Sequence, residues 1–252
     1  FMHLFKFVKD NGNILCLERQ KWDSNFFSRE SYNLNIDKSI ITQEPNNEES
    51  LSKVLTKSFI YTKIDSNINV KVLDILYKYS FRYIDTEMIL RFFNSKVTLE
   101  QGLFTIKDIQ VNKNLPYKML GSTFLYSRFH SDAHISNKKA DELWILYLKN
   151  FLPTERNKMF IAYDEGQVVG VMLINISAQR EATLFYVAVI PSHQRRGVGR
   201  LLINHVLFFL QTQGIGIIRT ETQAKNINAL NFYLRSGFRI IDKSLIVLHR
   251  WK

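Results

Sequence analysis

The sequence lacks the features that would place it in several function classes. It holds a single cysteine, Cys16. Neither a disulfide framework nor a thiol-based metal site can form from one thiol in one chain, so a reducing cytoplasm is the expected compartment. Its six histidines are scattered without ligand spacing, and no metal is expected. No run of about 18 apolar residues occurs, which argues against a helical membrane span. Residues 1–6 show neither a long apolar segment nor a small-residue cleavage site, so no secretory signal is expected. The basic residues are spread out. No block of like charges reads as a nucleic-acid arm, and no nucleic-acid partner is expected.

What is present is an ordinary globular composition with a basic excess. The chain has 252 residues, enough for one large domain or two small ones, and 46% of them are apolar, enough to bury a sizeable core. The net charge of +11 suits an anionic ligand such as a nucleotide or CoA. It equally suits a Lys-, Asn- and Ile-rich composition without functional meaning.

Two stretches of the chain resemble each other at one offset. Phe81 aligns with Phe238 (238 − 81 = 157), and at that offset Ile60 meets Ile217, Asn69 meets Asn226, Leu73 meets Leu230, Arg82 meets Arg239 and Asp85 meets Asp242. Such a constant offset indicates two copies of a strand–helix–strand unit. The first copy has no glycine-rich loop ahead of it and carries Leu76 where the second carries Tyr233. It therefore reads as a structural half without the chemistry. With a linker around residues 94–101, the expected domains are 1–96 and 97–252.

The second half alternates strand and helix signals. Strands are expected at 102–106, 159–163, 168–176, 183–190 and 216–222, with a hairpin turn at 164–167. Helices are expected at 138–151, capped by Asn137, at 198–210 and at 227–236, the last ended by Gly237. One or two final strands fill 238–251, with a turn at 242–244. The fold class is α/β (α+β), with a mixed sheet rather than a purely parallel one.

One loop carries a ligand signal. The strand at 183–190 stops at Pro191, which has no N–H for a ladder, and Gln194-Arg195-Arg196-Gly197-Val198-Gly199-Arg200 then opens a helix. Glycines allow close backbone approach, and the first helical turn offers unpaired N–H groups to a phosphate. Arg195, Arg196 and Arg200 add positive charge. The order of a nucleotide P-loop is absent, and no third glycine completes a dinucleotide fingerprint.

The residues Gln194 to Gly199 resemble the Gln/Arg-x-x-Gly-x-Gly/Ala signature of the GNAT N-acetyltransferase superfamily. Further on, Asn226-Ile227-Asn228-Ala229-Leu230-Asn231-Phe232-Tyr233 followed by Gly237-Phe238 resembles that superfamily's second signature. The resemblance implies a mostly antiparallel mixed sheet flanked by helices, preceded here by a degenerate half of the same kind. It implies acetyl-CoA as cosubstrate, held in the splay between the strands at 183–190 and 216–222. The backbone of Val187, Ala188 and Val189 would then hold the acetyl carbonyl and pantetheine. Amides from Gln194 through Val198 to Gly199 would hold the pyrophosphate, and Asn226 and Asn228 would meet the cofactor arm. Tyr233 would protonate the departing thiolate as general acid. On its residues alone Tyr233 reads as an ordinary amphipathic-helix tyrosine with a buried ring.

A narrower resemblance concerns the acceptor. Residues 21–27 and the run Ser127-Arg128-Phe129-His130 are similar to dTDP-fucosamine acetyltransferase and its relatives. That implies a nucleotide-linked 4-amino-4,6-dideoxyhexose as the amine, destined for cell-surface polysaccharide, with Tyr126, Arg128 and His130 on the acceptor side. A protein N-terminus, a polyamine or an antibiotic amine remain alternatives, as does a non-catalytic acetyl-CoA-binding module. A homodimer is left open.

Overall fold

The computed structural model describes residues 6–10, 13–36, 59–68, 70–93, 96–109 and 115–251. The chain forms two compact units. Unit 1 takes Phe1–Glu87, Ser131–His134 and Lys243–Lys252; unit 2 takes Met88–His130 and Ile135–Asp242. The division falls ahead of the boundary expected at 96/97, and the last residues join unit 1 rather than the second half. The chain crosses from one unit to the other four times: within the long strands β5 (Arg82–Phe92) and β11 (Phe238–Arg250), and on either side of the loop segment Ser131–His134.

Unit 1 contains β1 (Lys6–Asp10), β2 (Asn13–Arg19), α1 (Lys21–Phe27), β3 (Ser31–Ile36), β4 (Phe59–Asp65) and α2 (Val70–Lys78). β1, β2 and β3 pair antiparallel in sequence order, β3 pairs parallel with β4, and β4 pairs antiparallel with the end of β11. Leu17, Leu34, Ile60, Ile64, Val72, Leu76, Phe81 and Leu248 form its buried core.

Unit 2 contains β6 (Thr105–Ile109), α3 (Tyr117–Gly121), α4 (Asn137–Lys149), β7 (Asn157–Asp164), β8 (Gln167–Ile176), β9 (Glu181–Val189), α5 (Val198–Thr212), β10 (Ile217–Gln223) and α6 (Ile227–Arg235). β6 to β9 pair antiparallel in sequence order, and β10 joins β9 in parallel. The sheets are therefore mixed and mostly antiparallel, as expected. β8 is buried from Val169 to Ile174, the continuous apolar run of a strand covered on both faces. The β7–β8 turn has positive φ at both Glu165 (46°) and Gly166 (83°), as a type I′ hairpin requires. α5 buries Leu202, Val206 and Leu210 with Ile203 and Leu207, a stripe at helical spacing.

The repeat is present in the fold. α2 starts at Val70 and ends at Lys78; α6 starts at Ile227 and ends at Arg235, each 157 residues on (227 − 70 and 235 − 78). Ser80 adopts φ 66° where Gly237 adopts φ 91°, so both helices stop at a left-handed residue. Leu76 is buried at the position of Tyr233, and Phe81 at that of Phe238. Asn69, the counterpart of Asn226, and the segment 37–58 lie outside the described residues.

Three local expectations change. The cap of α4 is Ser136, whose hydroxyl accepts from Lys139 N at 3.3 Å; Asn137 is already helical. The strand expected at 102–106 lies at 105–109. No turn interrupts 242–244, because β11 runs unbroken from Phe238 to Arg250.

Candidate active site

The ladder between β9 and β10 is short. It runs from Glu181–Ile217 to Leu184–Thr220 and stops. On its other edge β9 stays paired to β8 as far as Val189–Gly170. That pairing shifts register after Leu184: Ile174 faces Leu184 but Leu173 faces Tyr186, which makes Phe185 the extra residue of a β-bulge. A bulge bends its strand and sharpens its twist. Beyond it, residues 185–189 and 221–223 diverge with no ladder between them. The result is a wedge at the expected place.

Thr220 closes the wedge. Its buried hydroxyl donates to the Leu184 carbonyl at 2.9 Å, on the last rung. Tyr233 comes to the same point from α6. It is buried, packs edge-on against Phe238 at 5.5 Å, and has the Thr220 side chain as a neighbour. Burial pushes its phenol above the ordinary 10, against a smaller opposing effect of Thr220. A proton held this firmly can be donated but is not released to water at neutral pH. Glu221, the first residue past the last rung, is exposed on the open end of β10. Its position was hidden in the sequence because only the ladder shows where the pairing ends.

The loop after β9 folds as a 3₁₀ turn at Pro191–His193, then passes Arg195 (φ 61°) and Gly197 (φ 90°) into α5. Gly197 is the N-cap and supplies no side-chain cap, so the first-turn N–H groups keep their capacity for an anion. The second glycine has a different reason. A Cβ on Gly199 would lie 3.3 Å from Phe232 Cε2, so Gly199 lets α5 and α6 approach. His193 Nε2 meets Asp164 at 3.0 Å, and Arg196 lies 3.8 Å from the same carboxylate. Arg200 forms two contacts with Glu100, at 2.7 and 2.8 Å. Two of the three arginines, Arg196 and Arg200, are thus held near carboxylates. His205, on α5, packs edge-on to Phe160, and burial lowers its imidazole pKa against an opposing Asp108.

A cavity of about 1150 Å³ adjoins this loop, and Val189, Gln194, Arg195, Gly197, Gly199, Arg200 and Asn228 line it. The other expected residues do not. Ala188 and Val198 are buried in the core, and Val187 packs beside it. Gln194 Nε2 donates to the Val189 carbonyl at 3.0 Å. Asn226 caps α6, its side-chain oxygen accepting from Ala229 N at 3.2 Å.

The residues expected on the acceptor side separate. Tyr126 is exposed. Arg128 lies over the Phe129 ring at 4.4 Å. His130 is buried: Nδ1 meets Ser127 Oγ at 2.7 Å and Nε2 meets Asp141 at 3.1 Å, tying this turn to α4. Its partner Asp141 lies on a helix eleven residues away, a link that no local pattern announces.

Two further groups went unread in the sequence. In unit 2, Phe124, Trp144 and Tyr186 cluster with ring centroids 4.4 to 6.1 Å apart. The Tyr186 hydroxyl and Trp144 Nε1 are buried there with no hydrogen-bond partner among the described residues. Burial pushes the Tyr186 phenol up strongly. In unit 1 the buried Asp132 carboxylate takes hydrogen bonds from His249 Nδ1 and Trp251 Nε1, both at 2.6 Å, and from His134 N at 2.9 Å. Burial works against its charge, but the bonds from His249, His134 N–H and Trp251 outweigh it and hold the carboxyl down at about 2.

Among the described residues no helix is long and apolar enough to cross a membrane. No group of three His, Cys, Asp or Glu residues among them is placed to hold a metal ion.

Comparison with known proteins agrees with this geometry. Residues 124–238 match the acetyltransferase (GNAT) family model. The [ribosomal protein bS18]-alanine N-acetyltransferase of Escherichia coli K12 is 41% identical over 89 residues, covering 35% of this chain and 53% of that protein. The Salmonella typhimurium enzyme of the same name is 45% identical over 58 residues, covering 23% and 39%. The spore coat polysaccharide biosynthesis protein SpsD of Bacillus subtilis is 27% identical over 129 residues, covering 51% and 44%. The matches thus span about half or less of these relatives' lengths. Among solved structures, a GCN5-related N-acetyltransferase from Kribbella flavida superposes with TM-score 0.62 at 13% identity, covering 98% of this chain and 89% of that one. A tandem GNAT protein from the clavulanic acid biosynthesis pathway gives 0.59 at 9%, covering 97% and 81%. The chain has the GNAT fold, with residues 124–238 matching the acetyltransferase family of that name.

Proposed function

We propose that this protein is an acetyl-CoA-dependent N-acetyltransferase that transfers the acetyl group directly to an amine in a ternary complex. The observation that carries this reading is the β9–β10 wedge, closed by Thr220 with Tyr233 buried beside it. The neutral amine attacks the thioester carbonyl, the C–N bond forms, and the C–S bond breaks. A backbone N–H of β9 holds the oxyanion. Tyr233 gives its proton to the departing thiolate, and Glu221 takes the proton lost by the amine. The pyrophosphate binds the α5 N terminus, and acetyl-CoA brings the activated acyl group.

The acceptor we propose is a nucleotide-linked 4-amino-4,6-dideoxyhexose for cell-surface polysaccharide, used in the cytoplasm. The similarity to SpsD supports it, because that match covers more of this chain than those to the bS18-alanine enzymes. We read the N-terminal half as a degenerate acetyltransferase copy: it repeats the strand–helix–strand at the same offset, with Leu76 in place of the acid. A protein N-terminus is the second reading, supported by the higher identity to the bS18-alanine enzymes. A panel of acceptors with acetyl-CoA decides. Turnover with the amino-sugar nucleotide and none with an alanyl peptide supports the first reading; the reverse pattern supports the second. Acetyl-CoA binding without turnover on any amine overturns both.

A further inference from the structure

The cavity beside α5 is lined by four cations, Lys96, Arg195, Arg200 and Arg235, and by the carboxylate of Glu100. Glu100 is committed to Arg200 at 2.7 Å. Among the described residues no carboxylate pairs with Lys96, Arg195 or Arg235. Like charges gathered around one concavity repel each other until an anion enters. These three do not come from one place. Arg195 belongs to the loop that opens α5, whose N–H groups already suit one phosphate group. Arg235 stands on the last turn of α6, and Lys96 follows β5. Both are exposed, and Asn228 and Asn231 of α6 line the same cavity. Arg235 also suits the negative end of its helix. Lys96 is on no helix and has no such reason to be there.

Two cation sets in one cavity match a ligand with two separate phosphate groups. CoA is such a molecule, with a pyrophosphate in its arm and a monophosphate on the ribose 3′ oxygen. We propose that Lys96 and Arg235 bind the 3′-phosphate and make the protein discriminate CoA thioesters from their 3′-dephospho forms. This rests on the acetyl-CoA reading above.

Calorimetry with acetyl-CoA and acetyl-3′-dephospho-CoA, on the full chain and its variants, tests it. Charge-assisted hydrogen bonds predict that the wild type binds the dephospho ligand about tenfold or more weakly. Lys96→Ala and Arg235→Ala should weaken acetyl-CoA while leaving the dephospho ligand unchanged, so that the preference collapses. Arg235→Lys should restore part of it. Arg195→Ala should weaken both ligands alike. Equal wild-type affinities overturn the proposal, as do Lys96→Ala and Arg235→Ala losing both ligands equally. If the wild type binds neither ligand, the acetyl-CoA reading itself fails. Binding of both without preference fails only the 3′-phosphate assignment. Both alanine variants remove exposed side chains, and their melting temperatures should match the wild type.

Discussion

Thr220 donates to the carbonyl of Leu184 at 2.9 Å on the last rung of the β9–β10 ladder, and the same threonine neighbours the Tyr233 hydroxyl. One side chain therefore ends a sheet ladder and lies beside a buried phenol. Thr220→Val keeps the shape and β propensity but leaves the buried Leu184 oxygen without this donor. The expected cost is about 1–3 kcal/mol of stability, read from denaturant unfolding. Removing the hydroxyl also removes the influence that opposes burial, so Tyr233 should become harder to ionise. A Thr220→Val protein as stable as wild type would show that this bond does not hold the wedge.

Tyr233→Phe separates the acid from the core residue. Its ring lies among Phe232 and Phe238, and phenylalanine keeps that packing. Turnover should fall about 100-fold or more, the usual contribution of a positioned acid, with acetyl-CoA affinity retained. The pH dependence has a definite sign. A raised phenol pKa keeps the acid protonated past its ordinary 10, so no falling limb of kcat due to Tyr233 should appear between pH 7 and 10. Unchanged turnover in the phenylalanine variant over that range would remove Tyr233 from the chemistry.

Asp132 makes a prediction about acid stability. Its carboxyl is held at about 2 against an ordinary 3.8. A depressed pKa in the folded state contributes stability above the unfolded value, and that contribution is lost as pH falls through the folded one. Wild type should therefore lose about 2 kcal/mol between pH 4 and pH 2 from this group. Asp132→Asn should be less stable at neutral pH and show a flatter decline over that interval. Parallel curves for the two proteins, measured by urea unfolding, would contradict the assignment.

The glycine loop and the Asn226-to-Phe238 stretch were legible because their chemistry is local. A strand stopped at Pro191, a left-handed Gly197 and a helix ended by Gly237 are each set by a residue and its immediate neighbours. The repeat was legible for a related reason, since Ser80 and Gly237 end their helices at the same offset. What could not be read depends on partners far along the chain. His130 looked available for an acceptor until Asp141 and Ser127 enclosed it. Asp132 and His249 lie 117 residues apart. The Phe185 bulge exists only in the register between β8 and β9. Asn226 reads as a cofactor contact in a motif but occupies a cap position, where its side chain serves the backbone of α6.

Tyr186 separates stability from recognition. Its hydroxyl is buried in the aromatic cluster without a hydrogen-bond partner, one residue past the Phe185 bulge. An unsatisfied buried hydroxyl costs about 1–3 kcal/mol, so Tyr186→Phe should stabilise the protein by an amount of that order, read as a higher melting temperature. Trp144 Nε1, in the same cluster, is unsatisfied too. Two such donors side by side are worth keeping only if something else uses them. If an acceptor oxygen does, the stabilised Tyr186→Phe protein should show a raised KM for the amine and an unchanged KM for acetyl-CoA. Higher stability with both constants unchanged would make the hydroxyl a passive defect of the core. A loss of stability would mean that the hydroxyl already has a partner in solution.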